Sequence, residues 1–265
     1  MIIEILCIGN ELLSGLTLNT NAHWLCNQIT KVGGVVRRVM VVRDEIGEIS
    51  SSTREVLARN PNILITTGGL GATYDDMTLE GVAISLGKRV VLDNRAIEML
   101  KKSYATRKLQ YELTGSRLKM ATIPEGSIPI QNPIGSAPAV MKQVDGTVIF
   151  CLPGVPSEMK AIFEQRILPL IKESVGKFVA EEVNYIVRGC SEAMIAPILI
   201  EIVKSYSENA IYLKTHPYGF YKEKIPQIRI QLISRGHDDK EIKKRLTAIG
   251  EVLEREITRL GGRIC

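Results

Sequence analysis

The chain predicts an α/β fold built on a parallel sheet covered on both faces, followed by a second, smaller α+β domain. Two observations carry this. Over roughly the first 170 residues, short apolar runs alternate with helical stretches, the order that builds βαβ units. Beyond Gly176 the chain changes to a strand, helix, strand, helix succession with longer elements.

Residues 2–8 are apolar apart from Glu4 and read as a strand. Residues 21–32 read as helix, 35–42 as a β-branched strand, 46–59 as helix and 63–66 as strand. Residues 79–86 read as helix. Asp93 suits an N-cap for the helix that follows, where Ile97, Leu100 and Tyr104 recur on one face. Residues 124–138 are rich in Pro, Gly and Ser and read as loops with a short strand; 147–152 is another buried strand. Pro156 suits the first turn of the helix after it, where a missing N–H costs nothing. In the second domain, residues 184–188 and 227–234 read as strands, and 193–205 and 239–260 as helices, with a loop between 205 and 227. The last helix carries Ile242, Leu246, Ile249, Leu253, Ile257 and Leu260 along one stripe. The domains are placed at 1–173 and 178–265.

Composition narrows the function. With 265 residues, 45% hydrophobic and 24% charged, there is material for one large domain or two smaller ones. The net charge of +5 fits anionic small molecules without arguing for nucleic acid. The five cysteines form no CxxC pair and are odd in number, which argues against a disulfide framework or a structural zinc and makes a reducing cytoplasm the default. Cys7 and Cys151 fall in strand-like runs and read as core residues. The N-terminus lacks the basic region of a signal peptide, and no apolar stretch reaches membrane-spanning length.

The chemistry gathers in turns that follow strands. Thr66-Thr67-Gly68-Gly69-Leu70-Gly71-Ala72-Thr73-Tyr74-Asp75-Asp76-Met77-Thr78 joins a strand end to a helix start. Glycines let backbone N–H groups approach an anion, and two adjacent carboxylates close the turn, so a phosphate held with a divalent cation is suggested. Gly9-Asn10-Glu11, Arg43-Asp44-Glu45 and Pro153-Gly154 follow other strands. Strand C-terminal ends share one edge of a parallel sheet, so these turns are expected to converge. Each has a plainer reading: Asp44 as a cap for the helix near Ile46, Asn19 or Asn21 as a cap for the first helix, Asp75 and Asp76 as a complement to a helix dipole, Glu11 as a solvated acid. His23 and Trp24 read as packing residues of the first helix.

Read together, Gly9-Asn10-Glu11-Leu12-Leu13-Ser14-Gly15, Asn19-Thr20-Asn21, the 67–78 turn, Asn132-Pro133-Ile134-Gly135-Ser136-Ala137-Pro138 and Pro153-Gly154-Val155-Pro156-Ser157-Glu158-Met159 resemble the competence/damage-inducible protein A (CinA) family in order and spacing over roughly the first 170 residues. The tail around Gly189-Cys190-Ser191-Glu192-Ala193 resembles the small domain that follows in that family. No segment is left for the nicotinamide-nucleotide amidase domain of longer members, and that activity is not expected here. The first domain is also similar to molybdopterin-binding domains of molybdenum-cofactor enzymes and to the hydrolase half of eukaryotic FAD synthase, which implies a three-layer, parallel or mixed sheet. Ala72 stands where many members have proline.

The resemblance implies a metal-dependent pyrophosphatase that cleaves ADP-ribose or FAD-like dinucleotides to AMP. It would use Mg, Mn, Co or Ni, with K+ as an optional addition, and act as a homodimer in the cytoplasm. Asp44 and Asp76 are the metal-side carboxylates on this reading, with Asp75 and Glu11 as supporting or water-orienting acids. Gly68, Gly69 and Gly71 would present N–H groups to phosphate. Asn19, Asn21, Ser136 and Gly154 would shape the nucleotide pocket, with Asn10, Thr67 and Pro153 of the same motifs. The alternative is a molybdopterin-binding protein acting in molybdenum-cofactor assembly, with a pterin phosphate in the same pocket. A further rival is nucleic-acid binding: residues 214–222 interleave basic and aromatic side chains as stacking platforms do. Glu241, Glu251, Glu254 and Glu256 offset Lys243, Lys244 and Arg245, so a packing loop is the favoured reading there and nucleic acid is not an expected partner.

Overall fold

The computed structural model describes residues 1–107, 114–206, 210–221 and 225–265. The chain divides into two compact units, Met1–Val175 and Gly176–Cys265.

The first unit runs β1 (Ile2–Ile8), α1 (Asn10–Leu13), α2 (Thr20–Lys31), β2 (Val35–Val42), α3 (Ile46–Ala58), β3 (Ile63–Thr67), α4 (Thr78–Ser85), β4 (Val90–Leu92), α5 (Asn94–Thr106), α6 (Gly115–Lys119), β5 (Thr122–Pro124), β6 (Ile128–Ile130), β7 (Ala139–Val144), β8 (Thr147–Leu152), α7 (Pro156–Ile162) and α8 (Leu168–Val175), with a π-turn joining the last two helices. The main sheet has the order β2-β1-β3-β8-β7-β6. Its first four strands are parallel, and β7 and β6 are antiparallel additions. β1 is buried from Ile3 to Ile8, as a central strand covered on both faces must be. Leu6 and Ile8 join one core with Ile49 and Val82; Ile3, Ile5 and Cys7 join the other with Leu25, Ile29 and Phe163. The mixed three-layer α/β architecture is therefore as the sequence implies. Strand order reverses beside β1, with β2 on one side and β3 on the other, so a crevice opens at their C-terminal ends.

Several local expectations hold. Asp93 accepts from the N–H groups of Arg95 and Ala96, and Pro156 opens α7. Cys7 and Cys151 are buried, and burial pushes both thiols up to about 11. The turn after β1 winds into a short helix, Asn10–Leu13. One expectation does not hold. His23 is exposed on the outer face of α2, so it packs against nothing in the core.

Glu4 interrupts an otherwise apolar strand, and its side chain is fully buried. Burial raises its pKa, yet hydrogen bonds from Arg59 and Arg37 prevail and hold it below the ordinary value. Arg59 makes a two-pronged contact (Nη2 to Oε2 2.7 Å, Nε to Oε1 3.1 Å), and Arg37 Nε donates to Oε1 at 2.7 Å. The triad ties β1 to β2 and to the end of α3.

The second unit runs β9 (Val179–Arg188), α9 (Glu192–Lys204), β10 (Ile211–Tyr221), β11 (Ile225–Gly236), α10 (Asp239–Arg259) and β12 (Arg263–Ile264). Its antiparallel sheet has the order β10-β11-β9-β12, which makes it a βαββαβ unit of the split-βαβ, ferredoxin-like kind. Ile242, Leu246, Ile249, Leu253 and Ile257 bury against Val187, Ile230 and Leu232. Leu260, on the same stripe by spacing, is 38% exposed because α10 ends at Arg259. The segment read as a loop between 205 and 227 is in large part strand: β10 pairs with β11 from Ile211↔Ser234 to Pro217↔Ile228, and the register shifts before Phe220. Pro217 and Gly219 look like breakers in sequence, but an edge strand with a bulge accommodates both. Lys222, at the end of the basic-aromatic stretch, lies outside the described residues. Among the described residues, no helix is long and apolar enough to cross a membrane.

Because Glu4 is buried and its arginines are only partly exposed, Glu4→Gln should destabilise the first unit by about 3 kcal/mol at neutral pH. The folded pKa is lowered, so the wild-type advantage is present above the unfolded value near 4.5 and vanishes as pH falls through the folded value. Urea unfolding of both proteins as a function of pH checks this; equal stabilities at neutral pH would remove the triad from the account.

Candidate functional site

The ends of β1, β3 and β8 meet in space because glycines let them. Gly68 has φ +109°, and a Cβ there would lie 2.1 Å from the Ile8 carbonyl oxygen. Its N–H donates to Leu152 O at 3.1 Å, so it is already committed to the sheet. Gly69, at φ +63°, leaves room for the Thr78 hydroxyl, which donates to Gly68 O at 2.8 Å and locks the turn onto the first residue of α4. Gly154 faces the Gly68 Cα. Asn21, on the first turn of α2, ties these ends together: its Nδ2 donates to Gly154 O at 2.8 Å and to Thr67 Oγ1 at 3.0 Å. The N-cap of that helix is Asn19, which accepts from Ala22 N; Asn21 is not a cap.

Carboxylates surround this floor. Glu11 lies over Gly9, where a Cβ would come within 2.6 Å of its carboxylate. Asp44 does not cap α3, whose N-cap is Glu45; it accepts from the Asn10 N–H at 2.7 Å and so links the segments that follow β1 and β2. Its pKa is raised, first by burial and then by the charges of Glu11, Asp75 and Asp76, while the Asn10 N–H opposes the shift. Four acids therefore feel one another across one space. Asp75 and Asp76 precede α4 rather than starting it, since Met77 is its N-cap. Thr73 organises them: its N–H donates to Asp76 Oδ2 at 2.8 Å, and its hydroxyl lies 2.5 Å from Asp75 Oδ1 and 2.6 Å from Asp76 Oδ2. One hydroxyl proton serves only one of these acids at a time. The Thr73 hydroxyl, the Asp75 backbone and the Lys119 charge hold Asp75 below the ordinary carboxylate range. Lys119 also donates to the Thr73 carbonyl.

Together these residues line an open cavity of about 280 Å³. Glu11, Asn19, Asn21, Asp44, Thr67, Gly68, Gly69, Asp75, Asp76 and Gly154 face it. Four other candidates stand behind or beside it. Asn10 supplies the N–H that holds Asp44. Gly71 backs onto the Asp76 carboxylate and lines a neighbouring cavity of about 450 Å³ with Lys119. Pro153 is buried, its carbonyl accepting from Thr67 Oγ1 at 3.3 Å. Ser136 pairs with Arg107. Its loop is shaped by Asn132, which accepts from Ile134 and Gly135 and donates to Glu158 Oε2 at 2.6 Å.

Sequence reasoning missed Thr17, Leu18 and Thr20, which complete the cavity wall, and the organising role of Thr73. A signal was present. Leu16 and Leu18 are 84% and 83% exposed, and leucines in a Gly-, Thr- and Asn-rich stretch have no helical or strand period that would bury them.

The oxygen-only donor set suits a hard cation. Among the described residues, no set of three or more acids, histidines or cysteines is gathered as a ready metal centre. Mg²⁺ commonly takes one or two protein carboxylates and completes its shell with substrate phosphates and water, so Asp44 and Asp76 fit such a role.

Residues 4–173 match the family described as probable molybdopterin binding domain. A protein from Metallosphaera sedula is 40% identical over 259 residues, covering 98% of this chain and 95% of that one. One from Sulfurisphaera tokodaii is 42% identical over 262 residues, covering 98% and 97%. The crystal structure of CinA from Thermoplasma acidophilum, a protein of unknown function, superposes with a TM-score of 0.58 at 39% identity, covering 66% of this chain and 99% of that one. The chain therefore belongs to the probable molybdopterin-binding domain family, as a CinA-like member.

Proposed function

We propose that the cavity binds a phosphorylated pterin of the molybdopterin class and that the protein acts in molybdenum-cofactor assembly. The observation that carries this is the convergence of a glycine turn and several carboxylates on one cavity of about 280 Å³, in a domain whose family is described by that ligand. Size supports it. The cavity of about 280 Å³ lies just under the usual range for ligand pockets, about 300–1,000 Å³, and is of the scale of a small phosphorylated ring compound. Chemistry supports it as well. A pterin ring carries N–H donors along one edge, and carboxylates accept such pairs well. Backbone N–H groups from Gly69 onward suit the phosphate, since that of Gly68 is held by Leu152.

A second reading has its own observation. The mutual repulsion felt at Asp44 marks a site that a divalent cation would relieve. On that reading the protein is a metal-dependent pyrophosphatase acting on ADP-ribose or FAD-like dinucleotides. Asp44 and Asp76 would hold the cation, which would supply charge neutralisation at the bridging phosphate. Asn21 and Thr67 would keep the floor rigid, and Glu11 and Asp75 would orient water.

Calorimetric titration with a pterin monophosphate, ADP-ribose and FAD separates the two. Binding of the pterin in the micromolar range, with the dinucleotides weaker and unhydrolysed, is the expected outcome. Asp76→Ala should weaken pterin binding by tenfold or more, because hydrogen bonds to a charged acceptor contribute about 1.5–3 kcal/mol. The proposal fails if the pterin does not bind while ADP-ribose or FAD yields AMP with Mg²⁺, Mn²⁺, Co²⁺ or Ni²⁺. In that event Asp76→Ala should lower the rate about 10³-fold.

A further inference from the structure

The second unit has one covered and one uncovered sheet face. Both helices pack on the face that carries Val187, Ile230 and Leu232. The registers Gln231↔Asn184, Ile233↔Glu182 and Lys214↔Gln231 place the intervening residues of β9, β10 and β11 on the opposite face.

That opposite face is cationic. Arg188, Lys214, Arg229, Arg235 and Arg263 fall on it by register, against the single carboxylate of Glu182. Glu182 is itself held by Asn184 and Gln231, each at 2.9 Å. Among the described residues, Lys214, Arg229, Arg235 and Arg263 form no salt bridge, and the buried Arg229 Nε has no hydrogen-bond partner. On the helix side Lys243, Arg245, Arg255 and Arg259 each sit on a carboxylate, while Lys240 and Lys244 form no salt bridge among the described residues. Four cations without a salt bridge therefore share one face of the sheet, with the Glu182 carboxylate as their counter-charge.

The face also carries ring systems. Tyr212 is 41% exposed, with the Arg235 guanidinium 5.9 Å from its ring centre. His216 lies along the same strand, beside Arg229 in the register. Aromatic rings and guanidinium planes in a basic field are what unstacked bases and their phosphates require. A duplex keeps its bases stacked inside and offers no such contact. An acidic peptide would meet the charge but leave the rings without a stacking partner.

We propose that this open sheet face binds single-stranded nucleic acid, with Lys214, Arg229 and Arg263 on phosphates and Tyr212 stacked on a base. It is independent of the ligand assigned to the first unit.

Fluorescence anisotropy of the full chain with labelled RNA and DNA strands of about 12 nucleotides tests it. Binding of either strand should fall roughly 20- to 50-fold between about 50 and 200 mM salt, as expected for three or four phosphate contacts, and the two arms show which sugar is preferred. Lys214→Glu with Arg263→Glu, both at exposed positions, should abolish binding. Lys240→Glu with Lys244→Glu, an equal charge change on α10, should leave it within about twofold. Tyr212→Leu should weaken it about tenfold with an unchanged salt slope. The proposal is overturned by no anisotropy change at low salt, by equal loss in both charge variants, or by equally tight binding of a duplex or of polyglutamate.

Discussion

The main sheet brings β1 and β3 together so closely that only glycine can stand at position 68. A Cβ there would lie inside the Ile8 carbonyl, and the backbone adopts φ +109°. The rest of the first unit's working end depends on this approach. It sets Gly154 against Gly68 and lets Asn21 reach Thr67 and Gly154 with one amide. It also turns the chain so that Thr78 starts α4 with its hydroxyl on Gly68 O. No side chain fits at Gly68 and its N–H is held by Leu152 O, so the cavity floor joins this packed backbone to the side chains of Asn21 and Thr67.

Charge is distributed with the same economy of space. The one carboxylate inside the sheet, Glu4, is neutralised by Arg37 and Arg59 far from the cavity. At the cavity the acids have few cations: Lys119 approaches Asp75, while Asp44 is held by the Asn10 N–H. The first arrangement serves folding, and the second leaves carboxylates able to accept from N–H donors of a ligand. Thr73 stands between the two aspartates of the turn and fixes their spacing through its hydroxyl and N–H.

The second unit is a different solution to burial. A βαββαβ chain places both helices on one side of its sheet and needs no second layer of helices to complete its core. The uncovered face keeps polar and cationic side chains between half-buried Ile186 and Ile233. The edge strand β10 tolerates Pro217 and Gly219 because one of its sides has no partner strand among the described residues.

The sequence alone determined the βαβ order of the first unit, the buried stripe of α10, the cap at Asp93, and the turns that hold the candidate chemistry. These are local matters: periodicity, capping and turn residues act over a few positions. It also indicated that Asp44, Asp76, Gly68 and Gly154 would converge, because strand ends in a parallel sheet share an edge. Only the tertiary structure decided the rest. Glu4 looked like a flaw in a strand until Arg37 and Arg59 closed on it from sequence distances of 33 and 55 residues. Asp44 proved to be a linker rather than a cap because its carboxylate accepts from the Asn10 N–H, 34 residues away, while Glu45 takes the cap position. β10 became a strand because β11 supplied the partners that its own sequence does not announce. In each case the deciding interaction joins residues far apart in the chain, and their meeting is settled by packing of the whole sheet rather than by neighbours in sequence.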